Sequence, residues 1–395
     1  MTSSNPVVPL DDLKADALLL ADGASQLYHG VASEELDEAF SAALTRTLQY
    51  DAKTEVAVMT AALEALRDQQ DHDAASWLIG EAELEAECQY LESPYGDEMM
   101  AVLFAIPIIF QEGTPHGELS PIADIERLHT LMEQAEIVSA TARFGLLPFL
   151  LSPETLEYRA YAEIAETTRY LGQQVADGEG PVLRLGHCLP GAVPHELTDQ
   201  VTVRYLLGVA VAKDNGEDPV DLFWEEPEND AQAFANWSLT RSETSQFHPR
   251  GTLPDGELWE DAFADALTEN TAGEQPVLMV GNPVGFHEDR YRGRVLQREQ
   301  ALVCQFQAWL ASGKSINGAR ITQQPVKDAN HELCGWIAWL ALADGECLQL
   351  SWPLLEQETE EDAYGLFQDV LDDLHLLPEN ARSLLQQAPG RQRLH

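Results

Sequence analysis

The sequence predicts an α+β protein in which a helical N-terminal region precedes two related strand-helix-strand-hairpin units produced by internal duplication. Three observations support this fold class: early apolar residues recur at helical spacing, continuous apolar runs of strand length follow, and matched residues recur 176 positions apart. At 395 residues the chain exceeds what one hydrophobic core usually supports. The predicted parts are a helical leader (1–95), a first α/β unit (96–190), an acidic connector with a strand and a helix (191–270), a second α/β unit (271–376) and a tail (377–395).

Several packed helices are predicted for the leader. Apolar residues from Asp11 to about Leu91 follow a helical period, and no proline occurs between Leu10 and Ser93. Helices with one apolar face are stable when they bury that face against one another.

The first α/β unit opens with the continuous apolar run Met99–Phe110, which is typical of a strand buried on both faces. Ser120-Pro121 predicts a helix start, because serine caps a first turn and proline needs no hydrogen-bond partner there. A second strand is predicted at 138–147, and Ser152-Pro153 predicts a further helix.

The duplication is predicted from residues that recur in the same order. Pairs separated by 176 positions are Pro107 and Pro283, Phe110 and Phe286, Glu112 and Glu288, and Gly117 and Gly293. Pairs separated by 177 positions are Ala142 and Ala319, Arg143 and Arg320, and Pro148 and Pro325. Chance similarity within one long chain is the alternative explanation.

The connector and the second unit are predicted by the same patterns. The connector contains a strand at Val201–Ala212, an acidic and proline-broken loop, and a helix at Leu258–Leu267. The second unit contains a strand at Pro276–Phe286, a helix at Val295–Leu310, a strand at Asn317–Gln324, a hairpin and a last helix that begins near Glu360.

The hairpin register is predicted from its turn. If Asp344-Gly345 forms a two-residue type I′ turn, one face of the hairpin is entirely apolar and is expected to be buried. The pairs predicted on that face are Ala341 with Leu348, Trp339 with Leu350, and Ile337 with Trp352.

Charge limits the range of functions. The chain has 67 acidic and 23 basic residues, a net charge of −44, so most of its surface should repel nucleic acids and anionic membranes. This charge favours a basic protein partner, with mimicry of DNA or plain solubility as alternatives. Five irregularly spaced cysteines and an N-terminus without a basic segment predict a reduced, cytoplasmic setting.

The sequence contains partial matches to catalytic, metal and cofactor motifs, but the secondary structure predicted around them, or a missing residue, argues against each. Ala308–Ser315 satisfies a permissive phosphate-loop pattern, but a helix is predicted before it, and Gly313 is better explained as the left-handed residue that ends this helix. The glycine-rich loop Gly281–Gly285 is a weak phosphate signal, because no glycine pattern continues into a helix start. We therefore predict no catalytic residue, no metal site and no cofactor.

The remaining candidate site consists of charged residues. Seven basic residues and only one acidic residue, Glu299, lie between 290 and 327, a local charge of +6. Such an island either neutralises acidic neighbours at an internal interface or binds an anion. The candidate ligand-binding residues are Arg290, Arg292, Arg294, Arg320, Arg143, Glu112 and Glu288.

These observations predict a non-catalytic binding or regulatory protein that engages a basic partner. The first alternative is an enzyme or small-anion-binding protein that uses a cleft between the two units. In an extended segment, Arg290, Arg292 and Arg294 would all point toward that cleft. The second alternative is a DNA mimic.

Overall fold

The structure, a computed structural model, describes residues 10–31, 33–92, 98–111, 119–156, 160–186, 201–213, 222–223, 250–270, 277–316, 320–328, 331–341, 346–355 and 358–376. Its class is α+β, with helices at the N-terminal end of the described chain, as predicted. Two antiparallel sheets follow these helices.

The N-terminal helices pack into a layer around their own apolar core. They are α1 (Leu10–Tyr28), α2 (Glu34–Thr47), α3 (Ala52–Asp68) and α4 (His72–Glu87). Ser33, Asp51 and Asp71 cap α2, α3 and α4, each accepting a hydrogen bond from a backbone N–H of the first turn. Leu20, Leu66 and Leu78 are completely buried between the helices. The predicted helices of the leader are thus confirmed, but the helical structure predicted as far as about Leu91 ends at Glu87, because Cys88–Glu92 form a strand.

The larger sheet has the strand order β1-β2-β5-β4-β3, and β6 also pairs with β2. Its strands are β1 (Cys88–Glu92), β2 (Glu98–Gln111), β3 (Leu119–Pro121), β4 (Arg143–Leu151), β5 (Val201–Lys213) and β6 (Val277–Val280). Strands β2 and β5 pair along their whole length and are buried on both faces, which explains their continuous apolar sequences.

Helices cover both faces of this sheet. Side chains of α5 (Ile125–Gln134) and α8 (Trp259–Asn270) share one core with Phe104 and Leu206. On the other face, α7 (Tyr161–Ala176) and the start of α9 (Phe286–Ala311) share a core with Leu103 and Leu207. The short α6 (Pro153–Leu156) lies between β4 and α7 in the chain.

The smaller sheet packs against the second half of α9. Its strands are β7 (Arg320–Lys327), β8 (Leu333–Ala341) and β9 (Cys347–Pro353), and α10 (Glu360–Asp373) follows them. Trp336 and Trp352 pack with Phe306 of α9 and with Phe367 of α10. With 26 residues, α9 is about 39 Å long, and it therefore contributes to the cores of both sheets.

The structure does not confirm the internal duplication. Phe110 lies in β2, whereas its predicted equivalent Phe286 is the first residue of α9. The strand predicted at Pro276–Phe286 ends at Val280, and the helix predicted from Val295 begins at Phe286. In addition, β6 of the predicted second unit pairs directly with β2 of the first.

The helix predicted to start at Ser120-Pro121 starts later. These two residues belong to β3, where Ser120 pairs with Leu150. The actual N-cap of α5 is Asp124, whose carboxylate accepts a hydrogen bond from the backbone N–H of Arg127 at 3.1 Å. An aspartate provides the same capping chemistry as a serine.

The predicted hairpin register is wrong by one residue. Trp336 pairs with Trp352, Ala338 with Leu350, Leu340 with Leu348 and Ala341 with Cys347. Five residues therefore lie between the paired residues Ala341 and Cys347. A two-residue turn at Asp344-Gly345 would instead have paired Leu342 with Cys347, with four residues between them. Because side chains alternate along a strand, the slip moves Trp339 and Ile337 to the more exposed face of β8.

We expect Gly208 to be essential for the pairing of β2 with β5. A Cβ atom at this position would clash with the ring of Phe104, which lies directly opposite. Gly208→Ala should therefore lower the free energy of unfolding by about 1–3 kcal/mol. The measurement is chemical denaturation.

Gly80→Ala is the matched control, because a Cβ atom at Gly80 has no neighbour within 4 Å. Gly80 lies inside α4, where alanine should stabilise the helix by up to about 1 kcal/mol. Equal effects of the two substitutions would contradict the assignment.

Candidate functional site

The predicted arginine cluster lies on a helix and does not form an extended segment. Arg290, Arg292 and Arg294 occupy the first turns of α9. Residues two positions apart on a helix are separated by about 200° around its axis, so the three side chains do not point the same way. The extended backbone that would point all three side chains the same way is therefore not present.

Two of these arginines make hydrogen bonds inside the protein. Nη1 of Arg290 donates to the carbonyl oxygen of Leu156 at 3.2 Å, and the carbonyl oxygen of Arg290 accepts from the Tyr205 hydroxyl at 2.7 Å. Nη1 of Arg294 donates to the side-chain oxygen of Gln297 at 3.2 Å. The contact with Tyr205 ties α9 to β5, the contact with Leu156 ties it to α6, and the contact of Arg294 lies within α9 itself.

The other predicted residues lie on separate elements. Arg143 begins β4, and its Nη2 donates to the carbonyl oxygen of Ala176 at 3.3 Å. Arg320 begins β7 in the smaller sheet and is exposed, as is Glu288 on α9. Glu112 lies outside the described residues.

Distances along β5 separate Arg143 from Arg290. Arg143 pairs with Val211, whereas Arg290 contacts Tyr205. Six residues of strand correspond to about 20 Å. Arg143 and Arg290 therefore lie at different points along β5, and Arg320 belongs to the smaller sheet.

A buried ion pair accounts for another member of the basic island. Both terminal nitrogens of Arg298 donate to the carboxylate of Glu358, at 2.6 and 2.5 Å, and the two side chains are only 4% and 0% exposed. The Arg298 guanidinium also lies 3.9 Å from the ring centre of Trp352 and donates to the Pro353 carbonyl. This pair joins α9 to the segment between β9 and α10, and no local sequence pattern predicts it, because its two members lie 60 positions apart.

We expect Arg298→Met to destabilise the protein strongly, because it leaves the Glu358 carboxylate buried without its cation. The loss in unfolding free energy should be about 3–5 kcal/mol. Arg127→Met is the matched control: Arg127 pairs with Glu269, and both side chains are well exposed, at 44% and 64%. The control should lose less than about 1 kcal/mol in the same denaturation experiment. Similar losses of unfolding free energy in Arg298→Met and Arg127→Met would contradict the claim that burial makes the pair with Glu358 important for stability.

The glycine-rich loop 281–285 leads directly into α9, which begins at Phe286 and not at the predicted Val295. The carboxylate of Asp289 accepts hydrogen bonds from the backbone N–H groups of Val284, Gly285 and Ala105, at 3.0–3.2 Å. A carboxylate oxygen of Glu87 accepts from the backbone N–H of His287 at 3.0 Å. These amide donors are already occupied, so the loop offers no open phosphate site.

Complete burial raises the pKa of Asp289 well above its usual value. The predicted role of Gly313 is confirmed, since it adopts a φ of 87° just after α9.

The helix α7 is capped in a similar way by another element. Its N-cap residue, Ala160, has no side-chain oxygen. Burial raises the pKa of Glu55 on α3 to about 7, and hydrogen bonds from the backbone N–H groups of Ala162 and Tyr161 oppose this increase. Glu55 thus joins the helical layer to the start of α7.

The elevated pKa of Glu55 has a definite consequence for stability. The folded carboxyl binds its proton up to about pH 7, whereas an unfolded glutamate loses it near its ordinary pKa, so this group reduces stability progressively as the pH rises toward 7. We therefore expect the melting temperature of Glu55→Gln to fall less than that of the wild type between pH 5 and pH 8. Glu64→Gln, an exposed change on the same helix, should follow the wild type. If the melting temperatures of Glu55→Gln and the wild type changed equally with pH, the elevated pKa of Glu55 would be contradicted.

A surface groove of about 470 Å³ lies between α5, α8 and the segment that precedes α8. Leu131, Leu253 and Ala262 contribute its apolar part. Its carboxylates are Asp255, Glu257, Asp265 and Glu269, and all four residues are exposed. Arg127 is the one basic residue in this lining and is paired with Glu269 at 2.5 Å. We call this feature the acidic groove.

Sequence reasoning missed the acidic groove. The carboxylates of α8 recur at helical spacing, so an acidic helix face was visible in the sequence. The opposite wall comes from α5, more than 120 positions earlier, and no local pattern relates the two helices.

Residues 10–246 match the model of a family described as "Protein of unknown function (DUF2863)". This match covers more than half of the chain. The protein belongs to this family. The DUF2863 match includes the α5 wall of the acidic groove, whereas α8 lies beyond it. No curated protein and no solved structure matches the chain.

Two further findings concern the described residues only. None of their helices combines the length and apolar character that crossing a bilayer requires. In the same part of the chain, no three His, Cys, Asp or Glu side chains are grouped so that they could hold a metal ion.

Proposed function

We propose that this protein is a non-catalytic, cytoplasmic binding protein that engages a basic segment of a partner protein along the acidic groove. The observation that carries the proposal is the composition of the groove: four exposed carboxylates and one already paired arginine surround apolar side chains. A segment that alternates basic and apolar residues would place both kinds of side chain in complementary surroundings.

The charge of the whole chain supports this choice of partner. The net charge of −44 attracts a basic segment from a distance and speeds its encounter with the groove. The four cysteines in the described part of the chain are free thiols, which is typical of a reducing compartment.

The alternatives have less support. A small-anion or enzymatic site would use the arginines of α9, but Arg290 and Arg294 already donate hydrogen bonds to protein oxygens. A DNA mimic would need a continuous row of carboxylates, and its partner would be a basic DNA-binding surface.

The proposal is tested with a short fluorescent peptide in which arginine alternates with alanine. Binding to the full chain is measured by fluorescence anisotropy. Asp255→Asn with Asp265→Asn should weaken binding about tenfold, since two charged contacts of about 0.7 kcal/mol each are lost. Raising the salt concentration should weaken it further, because exposed charges are screened.

The matched control is Asp261→Asn with Glu64→Gln, which removes the same charge outside the groove. Asp261 is exposed on α8 but does not line the groove. Affinity should fall by less than about threefold in this control, because Glu64 lies outside the groove and Asp261, one helical turn before Asp265, does not line it. Equal weakening in both double variants would show nonspecific attraction and reject the groove.

A thermal-shift screen with nucleotides and phosphorylated metabolites tests the small-anion alternative. Stabilisation that Arg292→Ala abolishes would favour that alternative over the groove.

A further inference from the structure

A second groove, with a volume of about 420 Å³, lies on the helical layer between α1 and α3. We call it the apolar groove, because Lys14 is the one charged residue among the described residues that line it. Its apolar lining includes Leu13, Ala17 and Leu18 of α1 and Ala57 and Ala61 of α3. It shares no residue with the acidic groove, so an occupant of the apolar groove is independent of the proposed function.

The apolar groove leaves hydrocarbon side chains in contact with solvent. Leu18 is 58% exposed, and Ala57 and Ala61 are exposed as well. No carboxylate lines this groove, although the chain carries 67 acidic residues. Contact between water and a continuous apolar surface is unfavourable, so an uncharged apolar segment that covers the groove would be bound favourably.

The two helices that form the apolar groove run in the same direction. In the first half of α1, Asp16 accepts a hydrogen bond from the hydroxyl of Tyr50, which precedes α3 in the chain. Near the end of α1, Ser25 donates to the carboxylate of Asp71, which follows α3. The first turns of α1 therefore lie beside the first turns of α3. Together they form one end of the groove, which we call its first end.

The segment that precedes α1 has a composition suited to the apolar groove. Helix α1 begins at Leu10, one helical turn before Leu13 at the first end of the groove. Residues 1–9 contain no charged side chain, and they include Val7-Val8 between two prolines. Proline disfavours a continuation of the helix and favours extended backbone at the residue before it. The sequence therefore predicts an uncharged, partly apolar extended segment directly beside the groove.

A contact that is common at helix starts indicates where Val8 lies. With Leu10 as the first helical residue, Val8 is the residue before the N-cap and Leu13 is the fourth residue of the helix. Apolar side chains at these two positions often pack together and set the angle at which the chain enters the helix. This contact would bring the residues before Val8 to the first end of the apolar groove.

We infer that residues 1–9 of this chain fold back over the apolar groove, with Val8 against Leu13 and Val7 against Ala57. Nine extended residues span about 30 Å, whereas the α1 wall from Leu13 to Leu18 is about 8 Å long, so the segment is long enough to cover it. The closure entropy is small, because the segment ends one helical turn from the groove. Neither surface has a carboxylate that contact would strip of water.

Disulfide formation tests this position directly, in the full chain with its five native cysteines replaced by serine. Val7→Cys with Ala57→Cys should cross-link under mild oxidation at least about fivefold faster than Val7→Cys with Val56→Cys, because a disulfide needs Cα atoms within about 7 Å. Val56 is the matched control: it is also exposed, but it lies about 100° around α3 from Ala57 and does not line the groove. Melting temperatures show whether each variant is folded.

The size of the cross-linked product shows which copy of the chain supplies the segment. A disulfide within one chain gives a monomer on a non-reducing gel, which is the expected result. A disulfide-linked dimer would place the segment of a second copy in the groove and would overturn the inference. Equal cross-linking rates for the Ala57 and Val56 pairs would also overturn it, because the segment would then have no preferred position.

A second measurement keeps the native cysteines in place. Val7→Asp with Val8→Asp should uncover the apolar groove and raise the fluorescence of added 8-anilinonaphthalene-1-sulfonate at least about twofold, because this dye binds exposed apolar surface. Ser3→Asp with Ser4→Asp is the matched control, since it adds the same charge to the same segment and removes no apolar side chain. The control should bind the dye as the wild type does. Equal fluorescence from the two double variants would count against a covered groove.

Discussion

The arrangement of the fold depends on carboxylates that cap helix N-termini from other elements. Neither α7 nor α9 has a side-chain cap at its own N-cap position. Glu55 meets the backbone N–H groups at the start of α7, and Glu87 accepts from His287 at the start of α9. Both glutamates belong to the helical layer. The positive ends of two helix dipoles therefore hold this layer against the larger sheet.

This constraint explains a glycine and a buried aspartate. A Cβ atom at Gly285 would lie 2.7 Å from Oε1 of Glu87, so the capping carboxylate needs a glycine at the helix start. The carboxylate of Asp289 accepts a hydrogen bond from the backbone N–H of Ala105 in β2, which ties the start of α9 to the sheet. The edge of β2 is paired with β1 near one end and with β6 near the other, and Asp289 occupies the interval between them. The start of α9 is thus fixed to both the helical layer and the sheet.

Sequence reasoning predicted the elements whose identity depends on local pattern. The bounds of strands β2 and β5 and of helix α8 were predicted to within a few residues. A strand buried on both faces leaves a continuous apolar run, and a helix buried on one face leaves apolar residues at helical spacing. It failed where identity depends on distant contacts. Phe110 and Phe286 match in residue type, but Phe110 lies in a strand and Phe286 in a helix.

The candidate sites followed the same rule. The basic island was visible as a local excess of charge, but its role was not, since the partner of Arg298 is Glu358 and that of Arg290 is a backbone carbonyl. Likewise, the acidic groove combines carboxylates of α8 with Arg127 of α5. Such pairings are decided by the tertiary fold, and one sequence carries no local record of them.

The direction of these contacts bears on the kind of ligand that the protein attracts. Arg290, Arg294 and Arg298 direct hydrogen bonds to oxygens of the protein itself, so part of the basic island is satisfied internally. The carboxylates of the acidic groove face solvent, and only Arg127 accompanies them in the lining. An incoming anion would have to displace internal bonds, whereas an incoming cation would meet carboxylates that are already exposed. The proposal of a cationic partner therefore rests on where these charges point as well as on their number.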